Sequence, residues 1–400
     1  MKRIHCFILF ISIALFTACP KESEDNFVEG YLTGNITAPQ EEVQAGDNTR
    51  TYGGTVTPGD MVEFEVYDLP APVGTRTKGW VMANLTTGSE IVISGDAEVL
   101  PTGFLKIYVT DSTNTTVVPI GGAGYAFEVP GVLLMVFAMN STMQPSILIS
   151  TGDCGTVGNS EYNMIFAAYP DGNGTAPKMD STAYVDFTIT PVSSYEFSVP
   201  SGTAHYLNNT SPFSPTETVT AVPEGSFICY GGRIFDRNTS GVDRISGFVS
   251  SSGALVLDNG PGNGGLMGFK KGSVPTADDL KKEHYGFVVT HDLLATTIGA
   301  GFGGVIYSDC RSGTCSGGLV SNIETGELDT APGSTFSNQP LAQYDATTGR
   351  YAGTQELTVN NSPVTINSVG MGYKWNGKTV QVGASVFAPG QVMNTLTVSK

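Results

Sequence analysis

The chain is written in short runs of alternating residues, and this period of two constrains its fold more than any other feature. Met61-Val-Glu-Phe-Glu-Val-Tyr67 places Val62, Phe64 and Val66 on one side of an extended backbone, because successive side chains of a strand point to opposite faces. Ile91–Ile93, Phe104–Val109, Tyr184–Ile189 and Lys378–Phe387 keep the same period, and turn clusters such as Pro58-Gly59 and Asp171-Gly-Asn-Gly174 separate such runs. The 50 Gly and 22 Pro, scattered among Ser, Thr and Asn, suit many strands joined by tight turns. Long helices would need more Ala, Leu, Glu and Lys than are present. The reading is therefore all-β. Gly131 to Met139 is strongly apolar, and periodicity leaves it open as a buried strand or a short helix. One short helix is expected around Thr276 to His284, with Thr276 as N-cap before Asp278 and Asp279.

At 400 residues the chain exceeds what one core usually organises, so two domains are expected. Val199 to Pro223 is rich in Ser, Thr, Pro and Asn and reads as a linker or long surface crossing, which sets the boundary near 200. Residues 30–200 then form a β-sandwich-like domain, and 201–400 a β-meander or barrel-like domain. The second half echoes itself. Gly231–Asp236, Ser240-Gly241, Ser246–Ser250 and Gly253–Leu255 recur in order as Gly303–Asp309, Ser312-Gly313, Ser316–Ser321 and Gly326–Leu328. A fainter third unit runs from Gln343 to Leu357. Such strand–turn–strand units are what a meander or up-and-down barrel supplies.

The first residues follow an export plan. Lys2 and Arg3 give a positive start, and Phe7 to Phe16 is apolar apart from Ser12, too short to span a bilayer comfortably. The stretch ends Leu15-Phe16-Thr17-Ala18-Cys19. This resembles the bacterial lipobox: Ala18 is the small residue before the cut and Cys19 the acceptor, while Phe16 takes the place of the usual Leu. The resemblance implies a signal peptide over 1–18, diacylation (palmitate-type chains) of Cys19 as the new N-terminus, and a lipoprotein anchored to the cell envelope, with the outer membrane the expected site. Residues 19–29 would then be the tether. Cleavage after Ala18 without acylation is the competing reading. Two acyl chains hold far more firmly than one, since each buried methylene adds about 0.8 kcal/mol.

Formal charge is −17; removing Lys2 and Arg3 leaves 18 basic against 37 acidic residues, or −19. There is no basic stripe to neutralise phosphates, which argues against nucleic acid, and an acidic surface is repelled by anionic lipid headgroups. Membrane association should thus come through the acyl chains. Beyond Cys19, Cys154, Cys229, Cys310 and Cys315 form an even set in an oxidising compartment. Arg311-Ser-Gly-Thr314 reads as a hairpin tip, which places Cys310 across from Cys315. Cys154 and Cys229 are left either to pair or to be buried thiols.

No nucleophile elbow, zinc helix or phosphate loop occurs, and no metal or other cofactor is expected. Asp258–Gly265 is glycine-rich but offers one carboxylate, too few for calcium. His205, His284 and His291 read as isolated; the last two lie on one strand-like run, where a spacing of seven means opposite faces. The leading expectation is a lipid-anchored protein with a binding or structural role, its protein or glycan partner unknown. Trp80, Trp375 and exposed tyrosines are the contact residues to consider, with core packing the plainer reading for both tryptophans. One alternative is a carrier of a small apolar ligand inside a C-terminal barrel with inward apolar residues. Such a cup is similar in architecture to the barrel domains of transferrin-binding-type surface lipoproteins, an analogy that no motif carries. A second alternative is an envelope glycan hydrolase using carboxylates such as Asp278 with Asp279, or Asp236 with Asp243.

Overall fold

The structure, a computed structural model, describes residues 47–400 except 57–59, 86–90, 116–118, 139–145, 159, 168–181, 201, 209–215, 223, 238–242, 259–264, 273, 293–301 and 389–390. The leader, Cys19 and the tether lie outside the described residues. So do the turns Pro58-Gly59 and Asp171–Gly174, the tip Ser240-Gly241 and most of Asp258–Gly265.

The described chain is all-β and forms closed rings of strands. In the first, β1 (Asp47–Val56), β2 (Asp60–Val73), β3 (Arg76–Asn84), β4 (Val92–Val99), β5 (Leu105–Ser112), β6 (Ala123–Val129), β7 (Leu133–Ala138) and β8 (Ser146–Ser150) pair in sequence order, and β8 returns to β1. The apolar run after Gly131 is thus a strand. The sheet expected to be sandwich-like closes on itself. Glycine permits the bending: a Cβ on Gly95 would sit 1.7 Å from the Tyr108 carbonyl oxygen of the neighbouring strand.

The second ring uses β9 (Ser160–Ala167), β10 (Thr182–Pro191), β11 (Glu196–Val199), β12 (Gly202–Asn208), β13 (Thr216–Val222), β14 (Gly225–Tyr230), β15 (Arg233–Arg237), β16 (Asp243–Val249), β17 (Leu255–Asp258) and β18 (Gly265–Lys270). Strands β14 to β18 meander from β11 to β9, and β10 closes the ring by pairing with both β9 and β11. β12 and β13 are a hairpin added to the part of β10 that β11 leaves free. The Ser/Thr-rich stretch after Val199, expected as a linker, is largely this hairpin. Its Thr and Val residues suit an extended backbone better than its polarity suggests. Residue 200 therefore falls between β11 and β12, two strands of one ten-stranded sheet.

The third ring follows α1 (Ala277–Leu280). It comprises β19 (Glu283–Asp292), β20 (Phe302–Asp309), β21 (Thr314–Asn322), β22 (Glu327–Leu328), β23 (Thr335–Pro340), β24 (Arg350–Val359), β25 (Ser362–Trp375), β26 (Lys378–Ala388) and β27 (Gln391–Ser399). β20 pairs with β21 to close it, and β22 is a short addition to β21. Two-residue turns at Asn360-Asn361 and Asn376-Gly377 all have positive φ, the type I′ geometry that matches strand twist. The Thr276 cap is in place, with Asp279 returning the bond to its backbone, but the helix stops at Leu280 and His284 lies in β19. Its two acids are followed by β-forming residues (His284-Tyr-Gly-Phe-Val-Val289), which the sheet claims. The echoing units fall in different rings, the first on β15–β17 and the second on β20–β22; the third is a turn leading into β24.

The alternation of side chains then sorts the cores. Tyr52, Phe64, Val66, Trp80, Ile93, Ile107, Leu134 and Leu148 fill the first ring. Tyr162, Phe187, Ile189, Phe197, Ile234, Val249 and Leu255 fill the second, with Cys154 and Cys229 among them. The opposite faces of all three sheets meet in one shared cluster, to which the first gives Phe104, Phe127 and Met135, the second Phe235, Phe248 and Phe269, and the third Met371, Tyr373, Trp375, Val382 and Leu396. Phe248 lies where a Cβ on Gly53 would be, 2.1 Å from its ring, so this close approach requires glycine. Polar contacts join the same surfaces: Arg233 to Glu63 at 2.6 Å, Lys106 to Glu324 at 2.5 Å, and the Tyr373 hydroxyl to the Ser252 carbonyl at 3.1 Å.

Candidate functional site: a cavity inside the last barrel

Strand register defines which residues look into the third ring. One row of paired positions runs Gly304, Val288, Thr395, Gly383, Gly370 and Tyr351 across β20, β19, β27, β26, β25 and β24. The next runs Ile306, Gly286, Thr397, Gln381 and Gly372. A third pairs Met393 with Ser385, Ser385 with Ser368 and Ser368 with Gly353. Glycine, serine and threonine at so many inward positions leave the centre unfilled. The result is a cavity of about 510 Å³, well within the range of small-molecule sites. The apolar alternates of the same strands, Met371, Val380, Ala384, Leu396 and Val398, face outward into the shared core, which Val369 and Val382 also join while bordering the cavity. The expectation of apolar residues turned into this barrel is thus corrected in part. The interior is mixed because the outer surface, buried against the other rings, takes much of the apolar content.

The lining has an apolar share: Val288, Ile306, Leu319, Phe336, Val359, Val364, Ile366 and Met393. Its polar share consists of Ser, Thr, Gln and Tyr, and no Asp, Glu, Lys, Arg or His stands among the described residues that line it. These polar groups are tied together. The Tyr344 hydroxyl donates to Gln381 Oε1 at 3.0 Å, and Gln381 Nε2 lies 3.3 Å from His284 Nδ1 and 3.4 Å from Thr397 Oγ1. His284 Nε2 is 3.0 Å from the Leu280 carbonyl, which links the short helix to the barrel wall. Ser368 and Ser385 share a 2.7 Å hydrogen bond, and Gln339 Nε2 donates to Gln355 Oε1 at 3.2 Å. Burial pushes His284 down, keeping it neutral, and pushes the Tyr344 and Tyr351 hydroxyls up, keeping them protonated.

Both expected disulfide partners of this region are joined: Cys310 is bonded to Cys315, and both border the cavity. Cys154 is bonded to Cys229 within the second barrel. Trp80 and Trp375 are buried, at 3% and 1% exposure, so neither is an exposed contact residue. Asp278 and Asp279 sit in the first turn of α1; Asp279 caps the helix and bonds Lys374, and is drawn down to about 2, chiefly by its hydrogen bonds to Thr276. Asp236 occupies the register position opposite Arg244 and Asp243 the one opposite Arg237, so the strand register sets each acid across from an arginine. Among the described residues no cluster of three or more His, Cys, Asp or Glu could hold a metal ion. Tyr351, Gln355, Gln381, Ser368, Ser385 and Thr395 were not legible as site residues. Their signal was the alternation of Gly, Ser, Thr and Gln with apolar residues in β24 to β27, which reads equally as a solvent-facing strand surface.

No family model matches the chain, and no curated protein matches it. Among solved structures, one similar chain is the vaccine antigen Transferrin Binding Protein B from Haemophilus parasuis Hp5, a double mutant, at 8% identity over 89% of this chain and 76% of that one, with a TM-score of 0.21. Another is the family 43 glycoside hydrolase YxiA from Bacillus licheniformis, at 7% identity over 86% of this chain and 97% of that one, with a TM-score of 0.18.

Proposed function

We propose that this chain is an exported, lipid-anchored binding protein of the bacterial envelope that carries a small ligand inside its last barrel. One observation carries the binding part of this reading: a cavity of about 510 Å³ lies among Val288, Ile306, Thr395, Gly383 and Gly370, where the other two rings hold side chains. An apolar wall supplies the affinity, and a few fixed polar groups orient the guest.

The test is titration of the purified mature protein with N-phenyl-1-naphthylamine, an uncharged fluorescent probe. Saturable binding at one site is expected, and Thr395→Phe, which puts a ring into the cavity, abolishes it while the thermal midpoint stays near that of the parent. No saturable binding to the parent, or undiminished binding to a folded Thr395→Phe, overturns the carrier reading.

Anchoring is supported by the Leu15–Cys19 sequence. Cells fed a clickable palmitate analogue are expected to label the parent protein and not Cys19→Ser; equal labelling of the two refutes acylation at Cys19.

A further inference from the structure

The carrier reading leaves the chemistry of the guest open, and the lining narrows it. We infer, resting on that reading, that the ligand is electrically neutral and presents a hydrogen-bond acceptor, such as a carbonyl or ether oxygen, to the hydroxyl of Tyr351.

Neutrality follows from what the lining offers. A carboxylate or ammonium moved from water into this space would find Ser, Thr, Gln and Tyr but no opposite charge among the described lining residues. Burying an unpaired ion costs several kcal/mol even after the site relaxes. The interior amides and hydroxyls are also largely committed to one another, through Tyr344–Gln381–His284 and Ser368–Ser385. They have little left with which to solvate a charge. The connections of this barrel that lie outside the described residues, 293–301 and 389–390, contain no charged residue by sequence.

The acceptor follows from the place of one phenol on the wall. Gln339 Nε2 donates to Gln355 Oε1, which occupies the amide oxygen of the neighbouring lining residue on the same strand as Tyr351. A phenol hydroxyl carries one proton to give. Tyr351 lies on the cavity wall, and its hydroxyl sits 3.3 Å from where a Cβ on Gly353 would be, an inward position of the same strand. Glycine there leaves the hydroxyl uncovered on its inner side.

Competition against the bound naphthylamine probe tests both parts, with four guests of equal chain length: an alkyl methyl ketone, an alkane, an alkyl carboxylate and an alkylammonium. The ketone is expected to compete best, and both ions at least about tenfold less well, the equivalent of about 1.4 kcal/mol. Tyr351→Phe is expected to weaken the ketone by about three- to tenfold, the worth of one net hydrogen bond, and to leave the alkane unchanged. The ranking should persist in Asp292→Asn, which removes the charge at the end of β19. Rejection of the carboxylate alone would assign the effect to the acidic protein as a whole and overturn neutrality. Competition by either ion equal to the ketone also overturns it, while probe binding keeps the carrier reading intact. An unchanged ketone affinity in Tyr351→Phe overturns the assigned donor. If the probe does not bind at all, the carrier reading fails and takes this inference with it.

Discussion

The first and last barrels are closed by the same number of strands and have opposite interiors. Inward positions of the first carry Tyr52, Phe64, Trp80, Ile107 and Leu148, and Phe64 stacks on Trp80 with ring centroids 5.3 Å apart. The corresponding layer of the last carries Gly370, Gly383, Ser368, Ser385 and Thr395 around open space. Polar groups differ in kind as well. The first barrel buries a charged set, Arg50 gripping Glu128 at 2.6 and 3.1 Å while the Tyr52 hydroxyl donates to the same carboxylate at 2.7 Å. Among the described residues, the polar set lining the last barrel's cavity is uncharged. An eight-stranded ring is just wide enough for side chains to fill or for one small guest to occupy. Residue size at alternate positions decides which, and strand number does not.

The largest test of this contrast is to remove a side chain from each interior. Trp80→Ala should destabilise by about 3–5 kcal/mol, because it opens a void among packed rings and strands the bond from Trp80 Nε1 to the Asp96 carbonyl, 3.2 Å long. Thr395→Ala should cost less than about 1 kcal/mol, since it only widens a space already open. Urea denaturation of both variants measures the difference. Similar losses at the two positions would mean that the last barrel is as tightly packed as the first.

The same contrast explains how much could be read in advance. Alternation at Val62, Phe64 and Val66 marked a strand and the side it buries, and all three are in the first barrel's core. The Lys378–Phe387 run was equally plain as a strand, β26, yet its meaning was inverted. Val380 and Ala384 lie on the outer face, against the shared core, while Gln381 and Gly383 look inward. A period of two fixes that two faces differ; it cannot say which of two buried environments each meets. Cys310 and Cys315 were legible because their contact is local, across the β20–β21 hairpin, whereas the pairings of β19 with β27 and of β9 with β18 join strands far apart in sequence. The Gln339–Gln355 bond was illegible for the same reason, since β23 and β24 must pair before the two can meet.

A smaller effect separates polar pairing from packing in the last barrel. Ser368 and Ser385 are buried and bond each other at 2.7 Å across β25 and β26. Ser368→Ala alone should cost about 1–3 kcal/mol by leaving Ser385 without its partner, and the double variant with Ser385→Ala should recover most of that loss. Denaturation midpoints of the two singles and the double form the cycle. A double variant as unstable as the sum of the singles would show that the hydroxyls act independently.

The smallest expected effect is one of pH, and it too distinguishes the barrels, because residues 47–150 contain no histidine whereas β19 begins beside His284. That ring is 1% exposed. Gln381 Oε1 accepts from Tyr344, so its amide nitrogen faces His284 Nδ1, which must accept; Nε2 then carries the proton and donates to the Leu280 carbonyl. The neutral imidazole satisfies both neighbours, and a second proton would turn Nδ1 from acceptor to donor against an amide that can only donate there. Burial, helped by nearby Lys282, lowers the folded-state value below the ordinary 6.5. The unfolded chain therefore takes up a proton that the folded chain refuses as pH falls below about 6.5, and stability is present above that value and declines beneath it. The slope cannot exceed about 1.4 kcal/mol per pH unit for one group. Urea midpoints at pH 7.5 and 5.5 should differ in the parent and differ less in His284→Gln. Equal differences in the two proteins would remove His284 from the account and leave the junction between α1 and the cavity wall insensitive to acid.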